Sequence, residues 1–548
     1  MRRTTAARGG WPRAAALTLG LLGLLGSQVV TATQPAEAAE TANPAALKEF
    51  YSQVPNWQPC KFNSALDCAT LVVPMDYGKP KQERIALSVS RLKASDPAKR
   101  RGILLSNPGG PGGSGLALPT YFYGTPLTEV YDLIGFDPRG VNESTLLSCE
   151  VTTDLHKLSS RPEDKDFAAW TASARQSEEA CRKAGGALRK HVNTPNTARD
   201  MDVIRGVLGE KKLSYVGYSY GTYLGAVYGS LFPKQLDRSV LDSSVHPEWI
   251  WRQQFKQQSV AFRDNVDLWA EWAGQRNNRF GIGKTKAEVL ATVEQVAAKL
   301  HATPADGFDR TQFDAGVGGG ARYRFNWEFL AEDVKYFRDF QPGSAEFAEA
   351  AKAGKELATL GLAQLRAGVF DTVTCEADWP RDLNSYYQDM REFRDRYPYG
   401  LGVTRAAPRT CTFRSFTPPE KPVKLKRKGY QTGVVIQADG DTQTHYDGGP
   451  AMAERLEDHL ISVADEGRHG LYALGGNTCV DEHVNRYLVD GVLPPSRVIC
   501  AGTPRPDVPT DAESASSRSR RLAPTPPGAL AEKVRQAAVA NKVANLPF

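Results

Sequence analysis

Residues 217–222 read GYSYGT. They lie between a short apolar run, Lys212–Val216 (KLSYV), and a segment with helical spacing, Tyr223–Phe232 (YLGAVYGSLF). A serine squeezed between two glycines at a strand-to-helix junction constrains this chain more than any other stretch. The glycines permit a turn too tight for side chains and let strand and helix pack closely. Two readings are open: a tight turn of small residues, or a G-x-S-x-G turn that presents a nucleophile. The pentapeptide alone decides nothing, so the surrounding chain has to.

The segments around it alternate. Leu66–Pro74 and Arg84–Leu92 (RIALSVSRL) read as strands, the second with period two. Gly102–Ser106 (GILLS) is a short buried strand that runs into Asn107–Gly115 (NPGGPGGSG). Tyr131–Phe136 is a strand ended by DPRG, and Thr197–Leu208 is an amphipathic helix. Then come KLSYV, the serine turn, its helix and the strand Arg238–Asp242. This is the pattern of a parallel sheet with helices on both faces, an α/β fold. After Val245 the alternation stops. Residues 246–420 carry long helical patterns such as Ala287–Leu300 and few strand signals, and read as an inserted, mostly helical cap. Sheet signals return at Gly433–Gln437 (GVVIQ) and Leu460–Ala464 (LISVA), with Pro450–Leu460 helical between them. The core is therefore expected in two parts, 39–245 and 421–501. Residues 39–55 read as loosely ordered. Residues 501–527 read as a Pro/Ser/Arg-rich linker, and 528–545 as a terminal helix within a tail spanning 502–548.

The length of 548 residues exceeds one simple domain. The net charge is +6, and the first 38 residues hold four arginines and one glutamate, so without them the charge falls to +3. That is no footprint for nucleic acid. The same 38 residues read as an export signal: Arg2, Arg3, Arg8 and Arg13, then the apolar run Ala14–Leu25, then Ala36 and Ala38 placed for cleavage. The run is too short to span a bilayer, so a secreted protein with no membrane insertion is expected. Cell-wall association through the tail stays open. The eight cysteines fit an oxidising compartment and fall in four sequential pairs: Cys60 with Cys68, Cys149 with Cys181, Cys375 with Cys411, Cys479 with Cys500. No spacing suits zinc, and no metal is expected.

A serine hydroxyl becomes a nucleophile when a base takes its proton and an acid orients that base. In α/β-hydrolases the chain order is serine, acid, histidine. After Ser219, strand GVVIQ is followed by ADGDTQT, which holds Asp439 and Asp441; Asp441, in D-x-x-T ahead of a helix, has the better setting. Of the four later histidines, His445 sits in the acid's own loop, His459 falls within the expected helix, and His483 follows Cys479. His469, in EGRHG directly after LISVA, stands where the order places the base. Backbone N–H groups of Tyr220 and Gly110 are the expected oxyanion donors.

NPGGPGGSG, GFDPRGVNES, the stretch TPNTARDMDVIRGVLGEKKLSYVGYSYGTYLGAVYGSLFP and the cysteine-flanked C-terminal block resemble secreted tripeptidyl aminopeptidases of actinobacteria, in the prolyl-aminopeptidase-like group of α/β-hydrolases. The resemblance spans about residues 45–501. It implies a serine exopeptidase without metal or organic cofactor, releasing short peptides from free N-termini, with Ser219 as nucleophile, Asp441 as acid and His469 as base; a monomer is expected. The family's D-x-x-T-P reads DTQTH here, with His445 in place of the proline. An aminopeptidase also needs a carboxylate for the substrate's α-amine; Glu376, Asp378 and Glu271 are the candidates. The rivals are an esterase or lipase with the same triad, and a binding protein on an inactive scaffold.

Overall fold

The computed structural model describes residues 44–149, 159–304, 309–339 and 368–516. The expected export signal and the terminal helix at 528–545 lie outside the described residues. The described residues form one compact unit.

Ten strands among the described residues make one sheet: β1 Gln58–Cys60, β2 Asn63–Pro74, β3 Arg84–Leu92, β4 Ile103–Asn107, β5 Asp132–Phe136, β6 Leu213–Tyr218, β7 Leu236–Asp242, β8 Val434–Ala438, β9 His459–Ala464 and β10 Arg497–Ala501. Their order is β1-β2-β3-β5-β4-β6-β7-β8-β9-β10. The pairs β1/β2, β2/β3 and β3/β5 are antiparallel. Every neighbour from β5 to β10 is parallel. After β4 the chain turns to one side for β5 and crosses to the other for β6. This reversal opens a crevice at the C-terminal ends of β4 and β6, where open α/β sheets bind ligands.

Alternate strand residues face opposite layers. Leu105, Tyr215 and Leu241 meet Met201 and Ile204 of the Thr194–Val207 helix, Leu224 and Val227 of the Tyr220–Leu231 helix, and Met452 of the Gly448–Leu456 helix. Leu104, Val216, Val240 and Ile436 meet Val480, Val484 and Leu488 of the Thr478–Asp490 helix on the other side. With both faces covered, the central strands β4, β6, β7 and β8 are buried almost along their whole length instead of on alternate residues.

Between β7 and β8 the described chain is helical. The Arg252–Gly274, Lys286–Ala302, Arg310–Arg322 and Trp327–Asp339 helices share a core that includes Trp269, Trp272, Val293, Phe313 and Trp327. The layer also recruits residues ahead of Ser219. The Phe167–Gly185 helix buries Phe167 and Trp170 against Met390 and Phe393, and Arg161 pairs with Asp314 at 2.8 Å.

Several expectations need correction. Residues 44–51 are a helix that buries Phe50 against Val73, Tyr77, Leu87 and Val203, so residues 39–55 are not loose throughout. Residues 502–516 are docked: Arg276 Nε donates to Val508 O at 2.7 Å, and Arg505 meets Asp465 at 2.6 Å while lying over Trp327. The helix expected over Pro450–Leu460 ends at Leu456, because Glu457 turns left-handed (φ 51°); His459 opens β9 instead. A further strand, β10, follows the His469 loop where the sequence reading expected none. The four cysteine pairs are bonded in sequential order.

The DPRG turn after β5 anchors this frame. Arg139 is fully buried and grips Asp200 with two N–H groups at 2.8 and 2.6 Å; it also donates to Met75 O, His191 O and Pro74 O. It ties the β2 exit to the Thr194–Val207 helix that leads into β6. Arg139→Ala leaves the Asp200 charge buried with no cation on it, only the Tyr77 hydroxyl at 2.8 Å. We expect a loss of about 3–5 kcal/mol, read as a lower urea midpoint; a shift under about 1 kcal/mol would refute the anchoring role.

Candidate active site

Ser219 follows β6 with φ 58° and ψ −127°, a backbone conformation that L-residues rarely hold. The neighbouring glycines admit it. A Cβ on Gly217 would fall 2.4 Å from Gly221 O, and one on Gly221 would fall 2.7 Å from Asn107 O. The bend is locked on both sides: Ser219 N donates to Asp242 O at 3.0 Å, and Thr222 Oγ1 donates to Ser219 O at 2.6 Å.

The loop after β4 presses on this turn. A Cβ on Gly109 (φ 94°) would lie 2.8 Å from Ser219 Cβ and 3.0 Å from Tyr220 N. Asn107 Oδ1 accepts from Gly109 N at 2.9 Å and shapes the loop's first step. Tyr220 N is an unbonded donor at a helix start. Among the described residues neither it nor Gly110 N has an acceptor, as an oxyanion site requires.

Asp441 follows β8 and His469 follows β9. Asp441 Oδ2 lies 2.7 Å from His469 Nδ1, with both side chains almost wholly buried. An ionised carboxylate only accepts, so Nδ1 carries the proton and Nε2 becomes the proton acceptor. Asp441 also accepts from Thr444 Oγ1 at 2.7 Å and from Gln443 N at 2.8 Å. Burial pushes its pKa up, but the His469 contact, the Arg322 charge and the Gln443 N–H outweigh burial and hold it below the ordinary value. Asp439, in the same loop, is differently engaged: it accepts from Asp465 N and Glu466 N at 2.7 and 3.0 Å and pins the exit of β9. His445 turns back on its own loop, its Nδ1 accepting from Asp447 N at 3.2 Å.

The helical layer clamps both loops. Gly440 and Gly467 are the contact points: a Cβ would fall 2.6 Å from Arg324 Nη2 at Gly440, and 1.8 Å from Arg322 O at Gly467. Asn265 Nδ2 donates to Gly440 O at 3.0 Å, and Arg322 Nε donates to Gly467 O at 2.7 Å.

Sequence reasoning missed Asp242 and Ser243, at the end of β7. The backbone of Asp242 holds Ser219, while its Oδ2 accepts from Leu471 N at 2.8 Å and Tyr472 N at 2.7 Å. Ser243 Oγ accepts from Gly470 N at 2.8 Å and donates to Asp242 Oδ1 at 3.0 Å. One strand end thus sets the relative position of the serine turn and the histidine loop. An aspartate closing a strand between two active-site strands (LDSS) was the available signal.

The three cap carboxylates are separately placed. Glu376 is buried; it accepts from Thr194 N at 2.8 Å and Thr194 Oγ1 at 2.7 Å, and burial raises its pKa to about 7. Thr194 Oγ1 also meets Tyr220 OH at 2.8 Å. Asp378 is exposed, 3.8 Å from Arg414. Glu271 is exposed on the stretch of the Arg252–Gly274 helix that carries Trp269 and Trp272 into the cap core. No hydrogen bond joins any of the three to Ser219 or His469 among the described residues.

The chain is similar to several known proteins. The family described as "TAP-like protein" matches residues 397–500, and that described as "alpha/beta hydrolase fold" matches residues 102–349. The chain is 33% identical over 478 residues to a tripeptidyl aminopeptidase of Streptomyces lividans, covering 82% of this chain and 88% of the relative. It is 28% identical over 483 residues to the serine protease Hip1 of Mycobacterium tuberculosis, covering 81% and 90%. A carboxylesterase B of Mycobacterium tuberculosis is 28% identical over 513 residues, covering 88% and 96%.

Burial raises the Asp242 pKa from 3.8 to about 6, against the hydrogen bonds from Tyr472 and Leu471 that lower it. The folded protein therefore holds a proton that the unfolded chain has released between about pH 4 and pH 6. The group's contribution to stability is present below about pH 4 and is lost as the pH rises through 6. Asp242→Asn removes the titration. We expect urea midpoints of the parent to fall more steeply than those of the variant from pH 4 to pH 6.5; parallel slopes would refute the assignment.

Proposed function

The chain belongs to the tripeptidyl aminopeptidase family of α/β-hydrolases and is a serine hydrolase of peptidase type; on that premise we propose that it is a secreted exopeptidase that releases tripeptides from free N-termini. Ser219 Oγ attacks the scissile carbonyl while His469 Nε2 takes its proton. The charge formed on the carbonyl oxygen is held by Tyr220 N–H and Gly110 N–H, donors that cost no reorganisation as the charge develops. Asp441 orients the imidazole and stabilises its protonated form. His469 then returns the proton to the leaving amine, and water repeats the sequence on the acyl-enzyme.

The observation that carries this reading is the 2.7 Å contact between Asp441 and His469 at the same sheet edge as the strained serine. The helical layer over that edge supports exopeptidase action, because a covered crevice admits chain ends more readily than folded surfaces. Glu376 is the best placed of the candidate amine anchors, joined to Tyr220 through one threonine hydroxyl. The four disulfides support an oxidising compartment, and no helix among the described residues is long and apolar enough to cross a membrane. An esterase with the same machinery is the second reading, favoured by the likeness to a carboxylesterase.

Ala-Pro-Ala p-nitroanilide, with a free or an acetylated amine, separates these readings. We expect hydrolysis of the free form only, reduced about 10⁴-fold or more in Ser219→Ala, and a raised KM in Glu376→Gln. Equal cleavage of both forms would mean an endopeptidase. Cleavage of p-nitrophenyl esters alone would mean an esterase.

A further inference from the structure

The Arg252–Gly274 helix carries Phe255, Gln258 and Phe262 at spacings of three and four, which place them on one stripe. Trp251, just ahead of the helix, starts that stripe and packs on Tyr220 with ring centroids 5.7 Å apart. Tyr220 follows Ser219, so the stripe rises from the nucleophile. Packed against the stripe is the Val369–Thr374 helix, which lies on the glycine-rich loop: a Cβ on Gly112 would fall 3.2 Å from Val369 Cβ and 3.6 Å from Phe370 N. Phe370 faces Phe255 across 5.5 Å.

Two arginines stand along this contact. The Arg409 guanidinium lies 4.7 Å from the Phe255 ring centre and 5.3 Å from that of Phe370. Arg405 lies 5.1 Å from the Phe262 ring centre and donates Nε to Gln258 Oε1 at 2.8 Å. Gln258 Nε2 in turn donates at 2.8 Å to Gln443 O, two residues from Asp441. The cations thus lie between the loop that holds the acid and the loop that shapes the oxyanion site.

Their charges are poorly balanced. Arg409 has Asp371 at 3.8 Å, too far for a hydrogen bond. Arg405 donates only to neutral oxygens of Gln258, Gly400 and Leu401 among the described residues. Burial pushes both guanidinium groups below their ordinary pKa; Arg405 comes down to about 10, with the Arg409 charge adding to the effect. Yet 26% of the Arg409 side chain reaches solvent. A cation that is surrounded by protein, weakly paired and open to an entering group is a site for an anion.

We propose that Arg405 and Arg409 form a subsite that binds a carboxylate of the peptide substrate. Guanidinium groups present planar donor forks that match a carboxylate. The helix rises about 1.5 Å per residue, so Arg409, level with Phe255, stands about 6 Å along it from Trp251. Arg405, level with Gln258 to Phe262, stands about 10–16 Å along it by the same rise. An extended peptide advances about 3.3 Å per residue, which puts the bound carboxylate about two to five residues from the scissile bond. Its source is either an acidic side chain or the C-terminus of a short peptide. The proposal rests on the peptidase reading above.

Binding to full-length Ser219→Ala, measured by calorimetry, tests it without turnover. The probes are a neutral amidated octapeptide, the same peptide with a free C-terminus, and versions with Glu in place of Gln at single positions. We expect one carboxylate source to bind about tenfold tighter or more than its neutral counterpart. A gain confined to the Glu peptides assigns a side chain, and a gain confined to the free C-terminus assigns the chain end. The gain should disappear when Arg405→Gln or Arg409→Gln is added and persist in part with Arg409→Lys, which keeps the charge. Melting temperatures identify a variant that has failed to fold, in which case the Lys variant and the parent decide. Equal binding of charged and neutral peptides, or a gain that survives both Gln variants, overturns the proposal. The acetylation assay is independent, so failure of one reading is distinguishable from failure of the other.

Discussion

The serine at the exit of β6 holds a backbone conformation that costs free energy, and the surrounding structure is arranged to keep it there. With φ 58° and ψ −127°, Ser219 would relax if any of its restraints gave way. Asp242 O fixes its amide, Thr222 fixes its carbonyl, and Gly109, Gly217 and Gly221 leave the room. Such a turn is stable only on a rigid support. The support here is β6, buried along its whole length between β4 and β7. A surface loop of the same sequence would be expected to relieve the strain by moving.

From that turn the geometry spreads by contact between strand ends. β4 delivers the glycine-rich loop, β7 delivers Asp242 and Ser243, β8 delivers Asp441 and β9 delivers His469. Parallel strands make this possible, since all their C-terminal ends open on the same edge. The helical layer completes the frame by pressing on Gly440 and Gly467, where any side chain would push it away. The helical layer and the two loops are therefore one mechanical system: Asn265 donates to Gly440 O, Arg322 donates to Gly467 O, and Arg324 donates to Asp465 and to Asn265 Oδ1.

Much of this was legible in the chain. The central strands were readable because burial on two faces demands continuous apolar runs, and Arg84–Leu92 appears with the expected bounds. Edge elements were harder. β10 (RVICA) buries only Cys500, and its apolar run of four residues is too short to mark a strand by itself. The Phe167–Gly185 helix is largely polar, and its few large apolar residues meet a partner more than two hundred residues away. Residues 502–516 have the composition of a linker, but specific hydrogen bonds to the helical layer hold them, and composition does not report those.

For the site, chain order and residue type singled out Ser219, Asp441 and His469, because the chemistry admits few residue types and the strands impose their sequence. Local spacing also anticipated the pairing of cysteines close in the chain. What only the tertiary structure decided is which groups share charge and hydrogen bonds across distant segments. Asp242 acts on the histidine loop through backbone amides, which have no sequence signature. Asp439 and Asp441 stand two residues apart, yet one braces β9 and the other reaches His469. Arg405 and Arg409 were two ordinary cations in the sequence; packing against Phe255, Phe262 and Phe370 gives them a common environment. Backbone pattern is written locally, because the periods of strand and helix are local. Electrostatic environment is a sum over neighbours that the fold alone brings together.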